Sequence, residues 1–176
     1  SKSPLVPTPG AWHHVVAAWD GKVISLEVDG KVVRVPRAGA PEVSAEPLRI
    51  GPIEGVIDEL RLSNPAGHRS AAAYWPFDGG TADATGKGHD AGGKGAQFVP
   101  GRCGQAIQFG AGPIAVADAA ALQLSAGLRI DGSVRVDELQ ETGYRHIVMK
   151  DGEYQLRLNS KKEGGRFAFF VFLDGK

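Results

Sequence analysis

The clearest prospect of chemistry in this 176-residue chain lies in its carboxylates. In Val56-Ile-Asp-Glu-Leu-Arg-Leu62, strict alternation places Asp58 on one face with Val56, Leu60 and Leu62, and sets Glu59 and Arg61 on the other. A carboxylate on an apolar face is costly unless it is paired, hydrogen-bonded or bound to a metal. Asp58 therefore reads either as a strand-end acceptor of backbone N–H bonds or as a calcium ligand. The loop Asp78-Gly-Gly-Thr-Ala-Asp83-Ala-Thr-Gly-Lys-Gly-His-Asp90 adds Asp78, Asp83 and Asp90, with seven glycines between 79 and 95. Glycines let such a loop fold back so that carbonyls and carboxylates converge, as a cation wanting six to eight oxygens requires. The spacing is not that of an EF-hand, and Lys87 and His89 oppose a dense anionic cage. A surface loop without metal is the other reading.

A second constellation is polar and aromatic. Tyr144, Arg145, Lys150, Tyr154 and Arg157 form the kind of set with which a sheet face grips sugars or peptides, although an ordinary solvated face has the same composition. Trp12 and Trp19 lie seven residues apart on one predicted strand, hence on opposite faces. One of them is expected to be less buried and to offer a stacking platform; Trp19 enters the candidate ligand set on that ground. His13 and His14 are adjacent and point opposite ways, so they cannot share an ion. Cys103 is the single cysteine, which excludes a disulfide framework and a zinc cluster. Within Gly101-Arg-Cys-Gly104 it reads as a small residue packed at a strand entry.

These residues are positioned by strands. Val23-Ile-Ser-Leu-Glu-Val28 alternates, Asp29-Gly30 supplies a two-residue hairpin turn, and Lys31-Val-Val-Arg-Val35 returns. Glu153-Tyr-Gln-Leu-Arg-Leu158 repeats the pattern, with Gly164-Gly165 turning it into Arg166–Phe172. With 25 Gly and 11 Pro between short strands, the chain reads as an antiparallel sandwich. Asp118–Leu124 gives the only helical hint. Lys plus Arg equals Asp plus Glu at 20 each, which gives no electrostatic case for nucleic acid or an anionic membrane. No apolar run approaches the ~20 residues of a membrane span. Starting at Ser1 without Met or a leader, the chain is expected to be a fragment of a larger protein.

Gly10-Ala-Trp-His-His-Val-Val-Ala-Ala-Trp-Asp20-Gly, Ile24–Lys31, Leu48–Gly51 and Gly55–Ser63 together resemble the closing half of a laminin-G-like domain of the concanavalin A-like superfamily. Tyr74-Trp-Pro-Phe-Asp-Gly-Gly80, Val99–Phe109 and Ile130–Val136 resemble the opening half of such a domain. The order is inverted. The resemblance implies an all-β, antiparallel β-sandwich jelly roll in circularly permuted order, with residues 1–70 as the closing half and 71–176 as the opening half. The alternative is two half-domains of a tandem array, joined near 67–73. It also implies that Trp75, Phe77, Phe109, Ile24, Leu26, Leu60 and Leu62 form the core, that the strand starting at Tyr74 lies beside the one ending at Leu62, and that one histidine of Trp-His-His-Val packs inside. A structural calcium is often held by the family's Asp-rich, Gly-rich first loop, which would join Asp58 to Asp78, Asp83 and Asp90.

Glucanases of the same superfamily alternate their carboxylates on one strand, as Glu-x-Asp-x-(x)-Glu, so that two of them stand about 5–5.5 Å apart. Glu54-Gly-Val-Ile-Asp58-Glu59 does not match, and Asp137-Glu138-Leu-Gln-Glu141 lacks the preceding Glu. The expectation is a non-catalytic module of a secreted or cell-surface protein that binds a glycan through Trp19, Tyr144, Arg145, Tyr154 and Arg157. A protein-interaction or adhesion module with an extracellular protein partner, or a structural spacer, is the alternative. A glycoside hydrolase ranks below both.

Overall fold

The period-two segments become strands, and the computed structural model describes residues 5–63, 71–110, 112–123 and 127–174. The earlier part of the chain supplies Trp12–Trp19 (β1), Val23–Val28 (β2), Lys31–Pro36 (β3), Leu48–Ile50 (β4) and Gly55–Ser63 (β5). The later part supplies Ala71–Trp75 (β6), Gln97–Pro100 (β7), Gln105–Gln108 (β8), Ile114–Val116 (β9), Leu128–Val136 (β10), Tyr144–Lys150 (β11), Tyr154–Asn159 (β12) and Phe167–Val171 (β13). Asp29 and Gly30 turn β2 into β3 at φ 50° and 80°, the left-handed pair that a tight hairpin requires. Of the helical hint at 118–124, the described residues 118–123 hold one 3₁₀ turn, Ala120–Leu122, and residue 124 lies outside the described residues.

Two antiparallel sheets result, and they face each other as a β-sandwich. The larger runs β3-β2-β1-β10-β5-β8-β7, with β6 also paired to β5; the smaller runs β13-β12-β11-β4-β9. Both mix strands from the two parts of the chain. β10 sits between β1 and β5, from Trp12↔Arg135 to Trp19↔Leu128 on one side and from Arg129↔Ser63 to Val136↔Gly55 on the other. β4 likewise joins β11 and β9. Leu60↔Trp75 and Leu62↔Ala73 place the strand through Tyr74 beside the one through Leu62, as expected.

One apolar cluster fills the space between the sheets. Trp75, Phe77, Leu60 and Leu62 are fully buried in it and Leu26 nearly so. Ile24 and Phe109 are only partly buried against it. Ile24 lies one strand in from the open edge, facing Val35 of β3, and Phe109 lies just beyond the end of β8 with its ring over Gly51.

The alternation expected around Asp58 breaks at a β-bulge. Asp131 pairs with Arg61 and Ser133 with Asp58, so two residues of β5, Glu59 and Leu60, oppose Gly132 alone. Glu59 is the extra residue, at φ 56°. Leu60 and Leu62 therefore point inward together with Ile57, whereas Val56 and Asp58 point to the outer side of the larger sheet.

Lys150 is a second departure. Its place in the surface set does not hold, because it ends β11 on the inward phase and is 0 % exposed. Its Nζ donates to Asp118 Oδ1 at 2.8 Å, Glu153 Oε1 at 2.9 Å, and the carbonyls of Ser44 and Glu46, each at 2.8 Å. One buried ammonium thus pins the 44–46 segment to the ends of β11 and β12. Lys150→Met removes the cation from between two carboxylates and should lower the unfolding free energy by about 3–5 kcal/mol in urea denaturation. Gly55→Ala tests the β5–β10 seam, since a Cβ there would stand 2.0 Å from the Arg135 carbonyl oxygen. It should cost about 1–3 kcal/mol, against under about 0.5 kcal/mol for Gly80→Ala, where a Cβ meets nothing within 4 Å.

Candidate functional site

On β11, β12 and β13 alternation sends Val148, Lys150, Tyr154, Leu156, Leu158, Phe167, Phe169 and Val171 inward. It leaves Tyr144, His146, Gln155, Arg157, Asn159, Ala168 and Phe170 on the outer face of the smaller sheet. A register shift between His146 and Val148 buries both Ile147 and Val148. Across the strands His146 faces Arg157, Arg157 faces Ala168, Tyr144 faces Asn159 and Gln155 faces Phe170.

The side chains interlock. The Arg157 guanidinium lies over the Tyr144 ring, 4.2 Å from its centroid, and over the Phe170 ring at 4.4 Å. Its Nε donates to Asn159 Oδ1 at 2.9 Å. The Tyr144 ring meets His146 edge-to-face at 5.2 Å, and His146 Nε2 bonds Gln155 Oε1 at 2.8 Å. Burial holds the His146 pKa below the ordinary imidazole value; the Gln155 bond opposes that shift and the charge of Arg157 adds to it. Tyr144 and Phe170 are nevertheless 45 % and 38 % exposed. Beside Tyr144 opens a cleft of about 620 Å³, lined among others by Ile53, Glu54, Phe109, Glu138 and Arg145. Arg145 Nε is shared by the two oxygens of Glu54 at 3.0 and 3.1 Å.

Such a face can stack a flat apolar ring and offer donors around it. No family model, curated protein or solved structure matches this chain. Its chemistry is therefore read from its own geometry.

The structure keeps Tyr144 and Arg157 together on the outer face, turns Arg145, which pairs with the inward-facing Leu158, into the adjoining cleft, and removes two of their expected companions. Tyr154 is fully buried, its hydroxyl donating to the Leu122 carbonyl at 2.6 Å. It stands an odd number of residues from Arg157, so both cannot face outward. Trp19 is buried as well, its Nε1 donating to the Arg37 carbonyl at 2.8 Å. Trp12 is the less buried tryptophan of β1, with Arg135 over its ring at 5.7 Å. His13 packs inside between Asp29 Oδ2 at 2.7 Å and the Thr8 amide at 3.0 Å. His146 and Phe170 belong to the face but were missed. Alternation along Phe167-Ala-Phe-Phe170 carries the signal for Phe170, and only the strand pairing joins it to Arg157.

The four aspartates expected to share calcium do not converge. Asp58 Oδ2 accepts the amides of Arg102 and Cys103 at 2.8 and 2.9 Å, and Asp78 Oδ1 accepts that of Gln105 at 2.7 Å. These two brace the 101–105 turn, which covers Asp58 from outside and leaves Cys103 exposed rather than packed. Asp83 is committed to its own loop and to β6, accepting from the amides of Thr85 and His89 and the Thr85 hydroxyl in the one and from the amide of Tyr74 in the other. Asp90 Oδ1 accepts the Asp83 amide. Among the described residues no three His, Cys, Asp or Glu side chains gather as a metal-holding group.

Asp58 and Asp83 should respond to pH with opposite signs. Burial pushes the Asp58 carboxyl above its ordinary 3.8, and the two amides only partly offset this; its Oδ1 carries no hydrogen bond among the described residues. The native state thus takes up a proton before the unfolded chain does. The stability this contributes is complete below pH 3.8 and lost as pH rises through the folded value. Burial also raises Asp83, but its amide and hydroxyl donors outweigh that and hold it below 3.8. Its contribution is present above pH 3.8 and lost as pH falls through the folded value. Urea denaturation should find Asp58→Asn more stable than wild type at neutral pH, with the difference gone near pH 3.8. Asp83→Ala should cost about 1–3 kcal/mol at neutral pH and less in acid.

Proposed function

We propose that this chain is a non-catalytic glycan-binding module whose ligand face is the outer surface of β11–β13 with the adjoining cleft. The exposed rings of Tyr144 and Phe170 clasping Arg157 carry this reading. Sugars are held by stacking on such rings and by a few polar groups at the rim. A shallow face of this kind gives micromolar to millimolar affinity, roughly −8 to −4 kcal/mol. In the cleft Glu54 is bound to Arg145, and Asp137 at its edge to Arg135. Both carboxylates are thereby committed to arginines of the chain itself.

The fold behind it, on this reading, is a laminin-G-like jelly roll in permuted order, one domain rather than two halves, belonging to a secreted or surface protein. The pairing of β6 with β5 and the Leu5 carbonyl accepting the Phe167 amide at 3.0 Å favour it. Calcium has no part in the reading, because the aspartates present do not fit one site.

Protein adhesion is the second reading, and β3 favours it. This strand forms an open sheet edge and exposes Val32, Val33 and Val35. Affinity electrophoresis in gels containing neutral or acidic polysaccharides separates the two. Tyr144→Ala should abolish glycan retention while shifting the thermal midpoint by no more than a few degrees, and Trp12→Ala, on the other sheet, should retain it. Unretarded wild type in every gel, with capture of a protein partner that Val33→Lys prevents, would replace glycan binding by adhesion.

A further inference from the structure

We infer that Arg157 is a carboxylate receptor, so that the glycan taken by this face carries uronic acid; the inference rests on the glycan-binding reading. Arg157 sits on the middle strand of three, and rings reach its guanidinium from the strands on both sides: Tyr144 from β11 and Phe170 from β13. Its Nε is committed to Asn159. Arg157 is half-buried, and among the described residues its Nη donors make no hydrogen bond. Among the described residues Arg157 has no carboxylate partner, whereas Arg129, Arg135 and Arg145 are each paired with one. Its cross-strand neighbours are His146, whose pKa burial lowers, and Ala168, too small to cover it.

A cation fixed in this way is preorganised for an anion. Stacking and the Asn159 bond have already restricted its rotamers, and the rings have removed part of its hydration. A partner therefore meets a lower ordering cost than it would at a free surface arginine. The shape of the site selects among anions. With rings on its two sides the guanidinium is open along its edge, and a planar carboxylate presents two oxygens in that plane as a matched fork. The further oxygens of a tetrahedral sulfate would project out of that plane towards the rings. A pyranose bearing a carboxylate can place its ring by the exposed part of Tyr144 while its charge meets Arg157. Of the acidic side chains lining the cleft, Glu54 is taken by Arg145 and Asp137 by Arg135.

Isothermal titration with oligogalacturonate, oligoglucuronate and oligomannuronate, with the carboxyl-reduced neutral form of each, and with a sulfated galactan free of uronate tests this. The wild type should bind at least one uronate oligomer about tenfold or more tighter than its reduced form, with affinity falling as salt rises. Arg157→Lys keeps the charge but neither the fork nor the stacking, and should lose most of that preference, as should Arg157→Gln. Both should keep the wild type's thermal midpoint to within a few degrees, so that the readout is the ratio of acidic to reduced affinity within each variant. Equal binding of acidic and reduced oligomers, or tighter binding of the sulfated galactan, would overturn the carboxylate receptor and leave glycan binding standing. Absence of binding to every glycan, acidic, neutral and sulfated, would overturn both.

Discussion

The position of β10 is the constraint on which the rest of the structure depends. It is a strand of the later part of the chain held between two strands of the earlier part, bonded along its length to β1 and to β5. Without it the larger sheet falls into two pieces, β1–β3 and the group around β5, each with a bare edge and half a core. The apolar side chains it delivers, Leu128, Ile130, Val134 and Val136, belong to the cluster that both sheets share. The bulge opposite Gly132 is part of the same fit, because it turns Asp58 towards the 101–105 turn and lets that turn cap the outer side of the seam.

The strands and the tight turns were legible in the sequence because they are local. Asp29-Gly30 and the alternation of Val23–Val28 each need only a few consecutive residues, and both hold. Asp58 shows where local reading stops. Strict period two puts it with Leu60 and Leu62, and a bulge specified by the pairing of β5 with β10 reverses that. Lys150 shows the other limit: its type argues for the surface, and only a fold that brings Asp118, Glu153 and two carbonyls around it makes burial tolerable. Tyr154 was a different matter, since its odd separation from Arg157 was already visible.

The candidate face was half legible. Tyr144 and Arg157 have the right chemistry and fall on the outer phase of recognisable strands, whereas Arg145, next to Tyr144, takes the opposite phase and reaches the cleft. The clasp itself depends on the register of three strands, which sets Phe170 of β13 level with Gln155 and Tyr144 of β11 level with Asn159, two residues to either side of Arg157. Aromatic and cationic residues are common on solvated strands. Their convergence, and the commitment of Asn159 to one end of the guanidinium, is information carried by hydrogen-bond register rather than by composition.

The open edge at β3 has a colloidal consequence. Formal charges balance at 20 against 20, so whole-molecule repulsion does little to keep copies of the chain apart near neutral pH. The edge carries Lys31, Arg34 and Arg37 among its exposed valines and closes on Pro36, cations and a proline of the kind that discourage strand-to-strand stacking. Their repulsion reaches only about a Debye length, ~10 Å at 0.1 M salt and ~3 Å at 1 M. Added salt therefore weakens the protection at this one strand while leaving the overall balance of charge as it is.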